Sequence, residues 1–506
     1  MNRSGTLIRG ALLLTMDPSR PEPFVGDLLI ENGAIAEVGG RLDALPGTRV
    51  IEGRGRLVTP GLVNAHMHSF ESTYRGRYER LPMELWSLYG YPTLGAEPLD
   101  DELLYLRTMV VAIESLQNGV TSILDDLDEW SGQTIESLDP VFRAYADSGI
   151  RASCSGNFQN RFDVDVLPHA DEVVPPEARA LLTSGTVPTD DEYLDFLRRA
   201  AARFHRPSER QRFVIAPCGP QWCTESLLVE SHRLARELGL NYHVHALETR
   251  VQIATQRVFY DDTLIAFMDE IGVLDEPTTL AHAIWITDRD VERLAASGAA
   301  VVHNPISNLK LGAGIAPLRS LIDAGVPVGL GTDGPSCNDS ARLFDTIRVA
   351  ALLQNVTSPN PAAWPTAREI IEAATRGGAR AACIGDQVGT LEAGKRADLV
   401  LFDLETINFT PPGDVFRQLA FSENGTSVEL VMVDGEVVVE GGRCTRVAEH
   451  EILIAFRDRH GDFARYHQRL ESRYRQFEPY IAEIHRRCAS ATSDFTQAGE
   501  SAAAAG

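Results

Sequence analysis

The chain has 506 residues, of which 44% are hydrophobic and 23% charged, a composition that excludes disorder, a collagen-like repeat or a disulfide scaffold as its main state. That length exceeds the roughly 100–200 residues of an ordinary domain, so one large barrel or sandwich with a smaller companion is expected. Its 71 acidic side chains against 47 basic ones give a net charge of −24, which repels phosphate backbones and anionic lipid and argues against nucleic acid or a membrane surface as partner. No apolar run approaches the roughly 18 residues of a membrane span. The short run Ala11–Thr15 is followed by no signal-type cleavage pattern, so a cytoplasmic location is expected. The seven cysteines are scattered, odd in number and without a CxxC pair, which fits the same reducing compartment.

In chain order, residues 6–57 read as short strands: Thr6–Arg9, Asp27–Glu31, Ile35–Val38 and Val50–Glu52. Asn32-Gly33 between two of them is hairpin chemistry. From 58 to 388 the texture changes. Short apolar runs (Thr121–Leu124, Ile150–Ser153, Phe213–Ala216, Asn241–Ala246, Thr279–Ala281, Ala300–His303, Val328–Thr332) alternate with helical spacings such as Glu225–Leu238, Leu264–Ile271 and Ile315–Ala324. That alternation predicts a parallel α/β array, eight units closing a barrel and six an open sheet; the period alone does not choose. The stretch 171–212 reads as an insertion with its own helix, a lid or a solvated surface helix. Residues 389–446 return to β texture: Asp398–Phe402, Val428–Val433, Asp434-Gly435 and Glu436–Glu440. Neither β-rich end carries enough strand to bury a core alone, so the two are expected to pair. Residues 447–506 form a helical extension with a disordered Ala-rich end. Its aromatic residues Phe456, Phe463, Tyr466, Tyr474, Phe477 and Tyr480 suit a buried stripe, either in a homo-oligomer (a dimer or larger) or on the chain's own barrel.

Five segments carry candidate chemistry. His66 and His68 are two residues apart, so on one strand they point to one face and can bind one ion. In His243-Val244-His245-Ala246-Leu247-Glu248 a strand ends in histidine and a carboxylate follows, as a base beside a metal requires. His243 and His245 share a face, so spacing does not choose the ligand. His282, His303 (in His303-Asn304-Pro305-Ile306-Ser307-Asn308) and Asp333 close three further apolar runs. Each signal is weak alone, but histidine or aspartate at the C-terminal ends of five strands is where barrel active sites gather. A nitrogen-rich set with few carboxylates favours zinc or another transition metal over magnesium or calcium. Gly329-x-Gly331-x-x-Gly334 matches a dinucleotide fingerprint only literally, because no helix of the expected kind follows. Gly389 to Lys395 fails as a phosphate loop because Arg396 stands where Ser or Thr is needed.

The strings PGLVNAHMH, HVHALET, AHAIWI, VVHNPISNLKLGAGIAPL, GLGTDGPSCND and GTLEAGKRADLVLFD, in this order from about residue 6 to 445, resemble the amidohydrolase superfamily. The likeness is to its branch of cytosine, guanine, 8-oxoguanine and adenosylhomocysteine deaminases and triazine hydrolases. The resemblance implies a (β/α)8 TIM barrel with a small β-sandwich domain built from both chain ends. It implies one divalent metal, Zn2+ or alternatively Fe2+, on His66, His68, His245 and Asp333. Glu248 would be the proton shuttle, His282 would polarise the reacting carbon with Asp333 beside it, and Trp86, Cys218, Gln221, His303 and Cys337 would shape the substrate site. The implied reaction is attack of hydroxide on a C–NH2 carbon of a small heterocycle (purine, pyrimidine, pterin or triazine-like) with release of ammonia. The alternatives are chloride or an alkylamine as leaving group, or a cyclic amide. A non-catalytic assembly role is the distant alternative, opposed by the complete ligand set. Two features depart from the nucleoside-type members: Cys218 follows Ala216-Pro217 where those members carry histidine, and no acidic ribose-binding position is evident around Trp86–Pro92.

Overall fold

The computed structural model describes residues 5–44 and 46–500. The expected disordered end at 501–506 lies outside the described residues. Eight parallel strands alternate with helices: Leu62–Met67, Val120–Asp125, Arg151–Ser155, Gln211–Val214, Tyr242–Ala246, Thr278–His282, Ala300–His303 and Val328–Leu330. The first four pair in sequence order, and so do the last four. A parallel bridge between Ile215 and Tyr242 joins the two sets. The ring closes between the eighth and first strands. There the Asn64 side chain donates to Thr332 Oγ1 at 2.7 Å and accepts from the Thr332 amide at 3.0 Å, and the Asp333 amide donates to the His66 carbonyl at 3.0 Å. Closure therefore uses the residues next to the candidate ligands.

Local chemistry sets the crossover helices. Helix Glu225–Leu238 starts at Thr224, whose side chain accepts from the Leu227 amide, and stops at Gly239, whose φ of 66° suits glycine. Its buried Leu227, Leu228, Leu234 and Ala235 are one apolar stripe facing the barrel. Helix Asp190–Phe204, in the stretch read as an insertion, is instead the regular crossover between the third and fourth strands. Thr189 and Glu192 form its capping box, and Leu194, Leu197, Ala200, Ala201 and Phe204 are buried. The acidic first turn that reads as solvated surface is one face of an amphipathic barrel helix.

Strands from both chain ends form one nine-stranded sheet. Its centre is the antiparallel pair Leu399–Asp403 and Arg56–Pro60, in register from Leu399↔Pro60 to Asp403↔Arg56. The domain boundary expected at residue 57 falls inside a strand: Arg56–Pro60 belongs wholly to this sheet. The apolar string simply runs on across Gly61 into the first barrel strand, so hydropathy leaves no mark there. Ile8, Leu13, Leu28, Val58, Leu399, Leu401, Leu430 and Met432 form the core of the β domain. The Gly389–Lys395 loop serves this domain: Gly394 and Lys395 exchange backbone hydrogen bonds with Ile35, and Lys395 Nζ donates to the Gly385 carbonyl.

The C-terminal extension is two helices, Glu449–Tyr474 and Glu478–Ala491, that fold back over the C-terminal end of the barrel. Tyr474, Phe477, Ile481, Ile484 and Cys488 share a cluster with Leu88, Val164, Ala170, Val174, Ala178, Val251 and Ala254. The segment 163–182 and the helices after the first and fifth strands thus form one cap with the tail. Of the aromatic stripe, Phe463, Tyr474 and Phe477 are buried within the chain, and Phe456, Tyr466 and Tyr480 are partly buried. Among the described residues no helix is long and apolar enough to cross a membrane.

Candidate active site

The C-terminal ends of the strands bring His66, His68, His245, His282, Glu248 and Asp333 together under the cap. Asp333 Oδ1 lies 3.4 Å from His66 Nε2 and 3.2 Å from His68 Nε2. His245 Nε2 lies 3.4 Å from His68 Nε2. His282 Nε2 is 3.7 Å from Asp333 Oδ2 and 3.8 Å from Glu248 Oε2. Two groups of potential metal donors emerge, His66 with His68 and Asp333, and His66 with His245 and His282, the donor atoms of each lying within 4.8 Å of one another.

Each ring is held from behind by its other nitrogen. His66 Nδ1 meets His243 Nε2 at 2.8 Å, His68 Nδ1 meets the Asp126 carbonyl at 2.6 Å, and His245 Nδ1 meets the Cys218 carbonyl at 3.0 Å. His282 Nδ1 meets Asn308 Oδ1 at 2.9 Å. These contacts aim all four Nε2 atoms inward, as second partners of metal-binding imidazoles do. They also separate the two histidines that spacing leaves equivalent: His245 faces the centre and His243 stands behind His66. Among the described residues the buried His66 Nε2 atom has no hydrogen-bond partner, a cost of about 1–3 kcal/mol that a bound ion removes.

Burial sets the charges. It pushes His66 and His245 down to about 3, so both rings are neutral near pH 7. Burial also works against the Asp333 carboxylate, but the His66 and His68 rings lying against it outweigh burial and hold Asp333 well below the usual range. Among the described residues no donor bonds the Glu248 carboxylate, and burial pushes it up to about 7, with the His282 ring opposing. The backbone is strained at the same points: Leu247, His282, Ala283 and Asp333 have φ of 51°, 74°, 44° and 59°. Left-handed backbone at non-glycine residues costs of order 1–3 kcal/mol each and persists where surrounding structure enforces it.

The remaining sequence candidates divide. Trp86 is buried beside the site, and its Nε1 donates to Ser336 Oγ at 3.2 Å. Gln221 is 2% exposed, and among the described residues both ends of its amide lack partners. Cys218 holds His245 through its carbonyl, while burial pushes its thiol well above the ordinary range. Cys337 is 1% exposed and its Sγ donates to the Gly334 carbonyl at 3.1 Å, which makes it a packed thiol of the loop. His303 is fully buried; among the described residues neither ring nitrogen has a partner, and it lies outside both donor groups. The glycines of the false dinucleotide fingerprint serve close approach. A Cβ at Gly331 would lie 2.3 Å from Asn304 Oδ1, and one at Gly334 would lie 1.7 Å from Glu71 Oε2.

Sequence reasoning missed Asp126, His243 as a supporting ring, Asn308 as orienter of His282, and Glu71. Asp125-Asp126 at the end of a predicted strand was a usable signal. Glu71 had none, because its partners Ser336 and Tyr91 are set by the fold.

Comparison with known proteins gives a consistent result. The model of the amidohydrolase family matches residues 57–438. A 5-methylthioadenosine/S-adenosylhomocysteine deaminase of Desulforudis audaxviator is 33% identical over 457 residues, covering 88% of this chain and 96% of the relative. The zinc complex of atrazine chlorohydrolase from Arthrobacter aurescens TC1 superposes with a TM-score of 0.80 at 27% identity, over 90% of this chain and 99% of that one. An adenosine deaminase of Xanthomonas campestris with bound zinc gives 0.78 at 25% identity, over 91% and 99%. A TIM barrel with an appended β domain, the ordered site motifs and a family match over three-quarters of the sequence lead to one conclusion: the chain belongs to the amidohydrolase family.

Proposed function

We propose that the protein is a hydrolytic deaminase of a small aminated heterocycle (a purine, pyrimidine, pterin or triazine-like ring) that works with one divalent metal ion. The observation that carries this reading is the convergence of three imidazole Nε2 atoms and one carboxylate, the His66 Nε2 orphaned among them. Imidazoles held from behind, two of them kept neutral by burial, with a single carboxylate, are the donors that zinc accepts, with ferrous iron as the alternative. His66, His68, His245 and Asp333 would hold the ion. When bound, such an ion supplies Lewis acidity and makes a water acidic enough to react near neutral pH.

The chain's own residues do the rest. Glu248, with a carboxyl group near 7, is matched to accept a proton from water and return it to the departing amine. His282, fixed by Asn308, faces Glu248 and Asp333 and stabilises the charge that develops on the attacked ring. Trp86, Cys218, Gln221 and Cys337 shape the pocket, and His303 supports the strand end. The deaminases among the relatives support ammonia as leaving group. The likeness to an atrazine chlorohydrolase favours chloride as the second reading. Metal removal tests the reading: protein stripped by a chelator should lose turnover, and about one equivalent of zinc per chain should restore it. Full activity of stripped protein would refute it.

A further inference from the structure

The chain beyond helix Glu478–Ala491 lies outside the family match, which ends at residue 438. It nevertheless bonds the loops that follow the fifth, sixth and seventh barrel strands. Arg250, which opens the helix after Glu248, donates to the Thr492 carbonyl at 2.6 Å. Its guanidinium carbon lies 4.1 Å from the centre of the Trp285 ring, and Phe495 meets the same ring edge-on at 6.2 Å. The Gln497 side chain donates to two main-chain carbonyls, that of Ile284 and, at 2.7 Å, that of Ile315. The Ala498 amide donates to the Ile286 carbonyl at 2.9 Å.

A second line of hydrogen bonds leads from the helix itself to the same place. His485 Nδ1 donates to Glu84 Oε2 at 2.8 Å, and Thr249 Oγ1 donates to Glu84 Oε1 at 2.6 Å. Glu84 stands on helix Met83–Gly90 with its side chain 7% exposed. Thr249 directly follows Glu248. Thr224, Thr263 and Thr287 each cap the helix they precede, but Thr249 caps nothing, because its hydroxyl is turned to Glu84. The two turns held in this way are the strained ones, with φ of 51° at Leu247, 74° at His282 and 44° at Ala283. They are also tied together, since the Leu247 carbonyl accepts from the Ile284 and Trp285 amides at 3.0 Å each. Such backbone persists only where its surroundings enforce it. Ile481, Ile484 and Cys488, packed with Val251 and Ala254, supply apolar contact; the hydrogen bonds supply direction.

We propose that the C-terminal segment belongs to the catalytic apparatus: His485, through Glu84 and Thr249, and Gln497, through the Ile284 carbonyl, are positioning residues that fix Glu248 and His282 for proton transfer. This rests on the roles given to Glu248 and His282 above and adds two residues that touch no reacting atom. A proton carrier works only within hydrogen-bond reach of its proton, and a misplacement of about 1 Å can cost a hundredfold in rate. His282 Nε2 lies 3.8 Å from Glu248 Oε2, a spacing set by the two turns. His66 and His245 lie within strands Leu62–Met67 and Tyr242–Ala246, so loosening the turns leaves the metal donors in place.

The test uses the full-length zinc-loaded protein and two measurements. Hydrogen exchange read by mass spectrometry follows the turns directly. His485→Ala should speed exchange across residues 247–252, and Gln497→Ala across 284–288, each roughly tenfold or more, with strands Leu62–Met67 and Val120–Asp125 unchanged. Ammonium release from adenine, cytosine and melamine follows function. For a ring that the unaltered enzyme turns over, kcat should fall roughly ten- to a hundredfold in either variant, while KM moves less than about threefold and zinc content holds. His485→Asn keeps an N–H where Nδ1 stands and should recover most of the loss; His485→Leu fills the space without the bond and should not. Gln497 is half-buried in the segment after the last helix, so its variant decides the matter if those at His485 misfold. Unchanged exchange in both turns, faster exchange with full kcat, or equal recovery by Asn and Leu would overturn the inference. No ammonia from any ring by the unaltered enzyme would remove the deaminase reading, and the exchange result alone then decides whether the segment holds the turns.

Discussion

Asp333 and Glu248 carry the same functional group and are held in opposite states by their surroundings. Asp333 lies against two histidine rings and stays ionised, whereas Glu248 is buried with less such support and rises to about 7. Pairs of carboxyls pushed apart in this way mark separate roles, one as anchor and one as proton carrier. Glu248→Gln should therefore keep its metal and lose turnover by roughly two to four orders of magnitude; near-normal activity with full metal content would refute the role. Asp333→Ala should lose metal, as read by elemental analysis, and retention of both metal and activity would remove it from the site. At this scale the sequence shows the inward-facing residues, because strand periodicity places His66 and His68 on one face and sets Glu248 just past a strand end. It does not show what stands behind them. His243 shares the face of His245, and only the approach of the first strand assigns it to His66. Asn308, Asp126 and the Cys218 carbonyl act across distant chain segments, which no local pattern records.

The helical elements follow from caps and stripes. Thr224 and Gly239 bound a helix whose limits are legible residue by residue. The role of a helix is less legible than its existence, as Asp190–Phe204 illustrates: its acid-rich sequence suits a solvated insertion, yet its other face packs on the barrel. The C-terminal extension is the element with the largest consequence. Phe477 is fully buried in the cap cluster, so Phe477→Ala should destabilise by about 3–5 kcal/mol, measured by denaturant unfolding; a change within error would place the cap outside the cooperative unit. His467 of the same extension lies 3.0 Å from the Tyr89 carbonyl and packs on Tyr74, Trp130 and Phe463, with Arg77 and Glu471 alongside. Burial pushes it down to about 4 from an ordinary 6.5. The unfolded chain thus binds the extra proton between these values, so the stabilisation is complete above 6.5 and is lost as pH falls toward 4. The full effect is at most about 3 kcal/mol. His467→Gln should flatten the loss of melting temperature over that window, and an unchanged pH slope would contradict the assignment.

At the scale of the whole molecule, the barrel and the β domain are joined by polar as well as apolar contacts. Arg151, on the third barrel strand, donates two hydrogen bonds to Asp398 at 2.8 and 3.0 Å, and Asp398 also accepts from the Asp434 amide at 2.7 Å. Arg151→Ala leaves a buried carboxylate without its partner, so unfolding free energy should fall by about 3–5 kcal/mol while metal content holds; no loss of stability would show the pair to be dispensable. The alternation of strand and helix was legible along the chain, but the number of strands in the ring was not. Closure depends on Asn64 meeting Thr332, residues 268 apart in sequence. The pairing of the chain ends was legible for a physical reason: each end alone has too little strand to bury a core.

The central claim is that the convergent histidines, Asp333 and Glu248 form a metal-dependent hydrolytic centre for an aminated ring. It is tested most directly by ammonium release from zinc-loaded protein across aminopurines, aminopyrimidines, pterins and aminotriazines, with Glu248→Gln in parallel. The account predicts ammonia from at least one ring class, abolished in the variant although its metal content is normal. No ammonia from any ring with metal bound, or equal release by Glu248→Gln, would contradict it.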